Sequence, residues 1–157
     1  MATRTQKYPD TGTFHYYNAN PHHRITGDCT IRAIATAAGI DYNMVCMIGA
    51  IMRIETGYSL DNKGISIIME RLGWTKHKQP RKMDGTKYTG KEFCEIQQSF
   101  LQDDWTHGNE WNDGIVIAPK IVANIGGNHI VAIVDGKVWD IWNSTGGCIG
   151  NYWTKEG

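Results

Sequence analysis

The chain has no net charge to offer a polyelectrolyte. Its 16 Lys and Arg are matched by 16 Asp and Glu over 157 residues. Nothing in that balance argues for bulk attraction to nucleic acid or to an anionic membrane, and neither is expected as a partner. No apolar run is long enough to span a bilayer, and the start Met1-Ala2-Thr3-Arg4-Thr5-Gln6-Lys7 lacks the pattern of a signal peptide. Cysteine is sparse. Cys29, Cys46, Cys94 and Cys148 form no CxxC pair and no disulfide-like density, which fits a reducing cytoplasm. A zinc site built on His22, His23 and a cysteine lacks a second ligand pair, so no metal and no cofactor are expected. Internal repeats, low-complexity stretches and linkers are absent too. Residues 1–157 therefore read as one domain with a real core, residues 1–10 being polar and flexible.

What the chain does have is a cysteine at a helix mouth. In Thr26-Gly27-Asp28-Cys29-Thr30-Ile31-Arg32-Ala33-Ile34-Ala35-Thr36-Ala37-Ala38-Gly39, Asp28 is a good N-cap and Gly39 a good stop. Ile31, Ile34, Ala35 and Ala38 recur at helical spacing and give one apolar face. Cys29 is then the first or second helical residue, where the positive end of the helix dipole favours a thiolate. Asp28 opposes that effect in part.

A histidine and an acid far downstream follow from strand register. Asn128 to Val134 and Lys137 to Asn143 read as two strands, and Asp135-Gly136 between them is a two-residue hairpin signal. Val134 then pairs with Lys137, Val131 with Asp140 and His129 with Trp142. Side chains two apart on a strand share a face, so His129 and Asp140 are diagonal neighbours about 7–8 Å apart at the backbone. An acid at that distance can orient an imidazole and fix its tautomer. The pair is a polar spot on an apolar hairpin. Val131, Ile133 and Val138 share its face, and Ile130, Ala132, Val134, Trp139 and Ile141 fill the other.

The rest of the chain reads as helices followed by antiparallel strands. Asp41 caps a helix with Met44, Val45, Ile48, Ile51 and Met52 on one face, and Cys46 buried within it. Glu55 to Lys63 is a loop, and a third helix runs from about Gly64 to Leu72. Thr75 to Tyr88 is a solvated loop or strand pair carrying Lys76, Lys78, Arg81, Lys82 and Lys87. Thr89 and Glu92 form a capping box for a helix to about Leu101 that buries Cys94. Gln102 to Asp113 is a polar loop, Gly114 to Pro119 a buried strand, and Ser144 to Gly157 a glycine-rich tail with Tyr152 and Trp153. The fold class is α+β, with N-terminal helices packed on a C-terminal antiparallel sheet.

Gly27-Asp28-Cys29 opening a helix, Gly127-Asn128-His129 opening a strand and Asp140 on the next strand resemble the papain-like cysteine peptidase superfamily. The string from Asp28 to Ala35 also resembles small phage-type and bacterial proteins with a papain-like core. The resemblance covers roughly residues 20 to 145. It implies a papain-like core and a Cys29, His129, Asp140 triad that attacks a peptide or isopeptide amide. The family's Gln six residues before the cysteine is His23 here, and Thr30 replaces the aromatic that often follows it. His23, Asn20 or Asn18 is then the side chain available to an oxyanion, beside the backbone N–H of Cys29. Trp142 and Asn128 are candidates to shape the substrate cleft, as are Trp139 and Trp111. Three functions follow: a cysteine-dependent hydrolase acting on a protein or peptide; a catalytically silent papain-like module, phage-encoded, that binds and blocks a host protein; and a transglutaminase-like acyltransferase.

Overall fold

The computed structural model describes residues 2–61, 63–102 and 115–155. Its elements run α1 (Arg4–Lys7), β1 (Phe14–Tyr16), α2 (Cys29–Ala38), α3 (Tyr42–Thr56), α4 (Gly64–Arg71), β2 (Thr75–His77), α5 (Gly90–Gln102), β3 (Lys120–Ile125), β4 (His129–Val134), β5 (Lys137–Asp140) and β6 (Ile149–Thr154). This is an α+β domain around one six-stranded sheet of order β1-β5-β4-β3-β6-β2.

The helix boundaries follow local chemistry. Gly39 closes α2 in the left-handed conformation, with φ of 68°, where glycine meets no Cβ penalty. The Asp41 carboxylate accepts from the Asn43 and Met44 N–H groups to start α3. The Thr89/Glu92 capping box forms reciprocally, at 3.0 and 3.1 Å, and α5 follows. Asp135 and Gly136 both take positive φ, 50° and 84°, the two-residue turn that matches strand twist. Val134 pairs with Lys137 and Ala132 with Trp139, in the register the turn dictates.

Alternation along the strands splits the core into two clusters. Val131, Ile133, Val138, Ile121 and Tyr152 face α5, packing on Phe93, Cys94 and Phe100. Ile130, Ala132, Val134, Val122 and Trp153 face the other way, under α2, α3 and α4. The sheet is thus covered on both faces by helices, which buries the hairpin as its apolar composition requires.

Several expectations are corrected. The sheet is mixed and not confined to the C-terminal half. β1 pairs parallel with β5 through Phe14 and Val138, and β2 forms the opposite edge against β6. The segment 115–118 holds only an isolated bridge, and the strand is β3, which begins directly after Pro119. The glycine-rich tail contains β6, whose Gly150 sits beside a register shift that a bulge tolerates. The expected strand to Asn143 stops at Asp140, because the Ile141 N–H bonds the Asp140 side chain and leaves the ladder. The polar N-terminus forms the one-turn α1, and the Arg4 guanidinium donates to the Ile141 carbonyl at 2.8 Å. The α3 face is divided, with Val45 and Met52 buried and Met44 and Ile51 exposed. Cys46 is half-buried, not enclosed. Gly114, most of the Gln102–Asp113 loop and Trp111 lie outside the described residues.

Candidate active site

Asp28 and Cys29 stand where the loop over 17–28 turns into α2. Asp28 occupies the N-cap position but its carboxylate caps nothing. Instead Oδ1 accepts from the Arg32 Nε–H at 2.8 Å, one helical turn on. Oδ2 accepts from the Tyr42 hydroxyl at 2.7 Å and the Asn20 amide at 3.1 Å. The first-turn N–H groups of α2, which no intrahelical carbonyl can satisfy, are left without a side-chain cap beside the thiol.

His129 opens β4 and Asp140 ends β5. By strict alternation both belong to the α5 face with Val131 and Val138. Both nevertheless meet side chains of α2, His129 at Cys29 and Asp140 at Arg32. The His129 Nε2–H donates to Asp140 Oδ2 at 2.5 Å. The other ring nitrogen, Nδ1, is left for Cys29, whose thiol interacts with this imidazole and with the Ile130 N–H. Asp140 Oδ1 accepts from the Arg32 guanidinium at 2.5 Å and from the Ile141 N–H at 2.7 Å. A single chain of contacts therefore runs from Cys29 through His129, Asp140, Arg32 and Asp28 to Tyr42 and Asn20.

The electrostatics favour separated charge at the thiol. Burial alone would raise the Cys29 pKa. The His129 imidazole and the Ile130 N–H outweigh it, and the net shift is downward. For His129, burial works against the cation, but the Asp140 carboxylate and the Cys29 thiol overcome it and push the pKa up to about 9. Two other thiols are suppressed. Burial pushes Cys94 up to about 12, and burial together with Asp28 raises Cys46. Arg32 is buried, 5% exposed, and burial would lower its pKa, yet Asp140 and Asp28 hold it above its usual value. Burial likewise opposes the charge of Asp28, but Tyr42, Arg32 and Asn20 hold its carboxyl below the usual range.

Two clefts flank residues 126–130. One, of about 450 Å³, is lined by Gly126, Asn128, His129, Trp142, Ser144 and Gly147 among others. The Trp142 ring lies 4.8 Å from that of His129, and the buried Ser144 hydroxyl has no hydrogen-bond partner among the described residues. The other, of about 410 Å³, is lined by Gly127, Ile130, Lys76, Asn124 and Trp153 among others. Trp142 and Asn128 thus both stand in the first cleft. Trp139 instead makes edge contacts with His15 and Tyr17.

The three side chains expected near an oxyanion are placed differently. Asn20 is buried, and its amide donates to Asp28 and to the Tyr42 hydroxyl. The Asn18 amide donates to the Arg24 carbonyl. His23 is exposed on a positive-φ residue. Tyr42 and Arg32 had no place in the site read from sequence, and Asn20 was assigned there to an oxyanion and not to Asp28. The signal that points to Arg32 is a lone cation in an otherwise alanine- and isoleucine-rich helix, four residues after an aspartate. Among the described residues, no three His, Cys, Asp or Glu side chains converge to hold a metal ion. No single described helix is long and apolar enough to cross a membrane. Comparison with protein-family models, with curated proteins and with solved structures finds no match to this chain.

Proposed function

We propose that the chain is a cysteine-dependent hydrolase of papain-like type that cleaves a specific peptide or isopeptide amide. The observation that carries this reading is the placement of His129. One ring nitrogen is held by a buried carboxylate, and the imidazole interacts with a thiol whose pKa is lowered.

In this reading the Cys29 thiolate attacks the substrate carbonyl carbon, and a C–S bond forms as the carbonyl π pair moves to oxygen. The uncapped N–H groups at the start of α2 are positioned to donate to that oxyanion. Collapse breaks the C–N bond, and Nδ1 of His129 gives its proton to the leaving amine. Water then attacks the thioester, with Nδ1 taking its proton, and the thiolate departs with the acid product formed. Asp140 keeps Nε2 protonated and the ring oriented throughout. The cleft on the His129 side, with Trp142 and Ser144, suits the leaving-group half of the substrate. A reducing compartment such as the cytoplasm suits the free thiol.

One observation favours a second reading, a silent module that blocks a host protein. The Asn20 amide commits both its N–H groups, to Asp28 and to the Tyr42 hydroxyl, so it is not free for an oxyanion. Incubation of the purified chain with a peptide library, with new N-termini read by mass spectrometry, separates the two. The hydrolase reading expects new termini that vanish in Cys29→Ala. An absence of new termini, together with a Cys29→Ala chain that keeps its full effect in expressing cells, refutes it and leaves binding.

A further inference from the structure

α3 is apolar almost all round, and only one side of it is covered. Val45, Gly49 and Met52 are buried toward the core. Met44, Met47, Ile51 and Ile54 form a second stripe at spacings of three, four and three residues, and are 47%, 56%, 51% and 85% exposed. A helix with apolar residues on both sides is one that is normally covered on both. The 3-4-3 spacing is that of a seam between two helices.

We infer that this stripe is a homodimer interface, in which α3 packs on α3 of a second copy about a two-fold axis. Self-complementarity favours a copy over a charged partner. A two-fold contact sets the same patch on both sides, and each stripe supplies the seam spacing the other requires. The helix carries only Arg53 and Glu55, of opposite sign, and Glu55 is already paired with Arg71 at 3.3 Å. No net charge borders the stripe to repel a second copy or to select a polyelectrolyte. A lipid surface is the poorer occupant. Helices lying in a membrane interface carry a Lys- and Arg-rich face opposite the apolar one. The face opposite this stripe is core. The four side chains with Ala50 and flanking stems remove about 1,000 Å² over two copies, the floor for a specific interface.

Sedimentation velocity on the full chain between about 1 and 100 μM tests this, since association follows mass action. The expected mass rises from 17.6 kDa toward twice that value. Ile54→Glu and Met47→Glu place like charges in the seam and should weaken association by about 100-fold or more. Ile54→Ser removes apolar area without charge and should weaken it by a smaller factor. Met83→Glu, on a side chain 89% exposed outside α3, should leave it unchanged. Unchanged melting of each monomer shows that the substitutions act at the surface. A mass of 17.6 kDa throughout overturns the inference. So does a dimer indifferent to all three α3 substitutions, or a monomer whose α3 binds phosphatidylcholine or phosphatidylglycerol vesicles.

Discussion

Replacing Arg32 should damage the fold more than any other single change at the site. Its Nε–H holds Asp28 Oδ1 at 2.8 Å and its terminal nitrogen holds Asp140 Oδ1 at 2.5 Å. All three side chains are almost wholly buried, at 6%, 7% and 2% exposed. Arg32→Met keeps the length and packing but leaves two carboxylates without their cation. Removing one partner of a buried ion pair costs about 3–5 kcal/mol, chiefly because the remaining charge is uncompensated. Asp28 keeps Tyr42 and Asn20, and Asp140 keeps His129, so the lower half of that range is expected. For a domain of this size each kcal/mol moves the melting temperature by about 2–4 °C, giving a drop of about 6–16 °C. Arg32→Lys should recover only part of this, since one ammonium on a flexible stem cannot hold both carboxylates in the fixed fork of a guanidinium. Urea unfolding at pH 7 with a thermal melt measures both. The destabilisation should shrink toward pH 4, where protonation relieves the stranded acids. An Arg32→Met chain within about 0.5 kcal/mol of wild type would refute the reasoning, for that is the scatter of ordinary surface changes.

Alkylation by iodoacetamide at pH 6 should modify Cys29 ahead of Cys46 and Cys94, whose pKa values are raised, and Cys29 labelling should collapse in His129→Ala. Peptide mapping by mass spectrometry reads this, and equal labelling of Cys29 and Cys46 would contradict the ion pair. The sign of the His129 shift sets a second pH window. A folded pKa raised to about 9 adds stability that is full below the unfolded value of about 6.5 and is lost as pH rises through 9. Urea midpoints of the wild type should therefore fall between pH 6.5 and 9 relative to those of His129→Ala, and parallel profiles would count against it. Gly64→Ala should destabilise by about 1–3 kcal/mol or more, because an added Cβ would lie 1.6 Å from the Ser59 carbonyl oxygen and backbone must move. A chain that melts as wild type would show that the α3–α4 turn yields freely.

Much of this protein is local and therefore legible in its sequence. Gly39, Asp41 and the Thr89/Glu92 pair place helix ends because each satisfies or releases backbone groups within four residues. Asp135-Gly136 fixes the hairpin register because only residues tolerant of positive φ make that turn, and the register alone makes His129 and Asp140 neighbours. β3 and β6 were not legible. A six-residue strand with Gly150 in it, or one starting at a lysine after proline, is defined by the partners that accept its ladder, which lie elsewhere in the chain. The site divides in the same way. Its thiol, imidazole and acid were readable as residue types at marked positions. Tertiary structure alone decided that Asp28 abandons its cap for Arg32, Tyr42 and Asn20, and that Asn20 is thereby drawn away from any oxyanion. A capping bond is worth about 1 kcal/mol, whereas a buried carboxylate left without a cation is far more costly, so the longer-range pairing prevails. That competition between near and distant partners is settled only once α2, α3 and the end of β5 have come together.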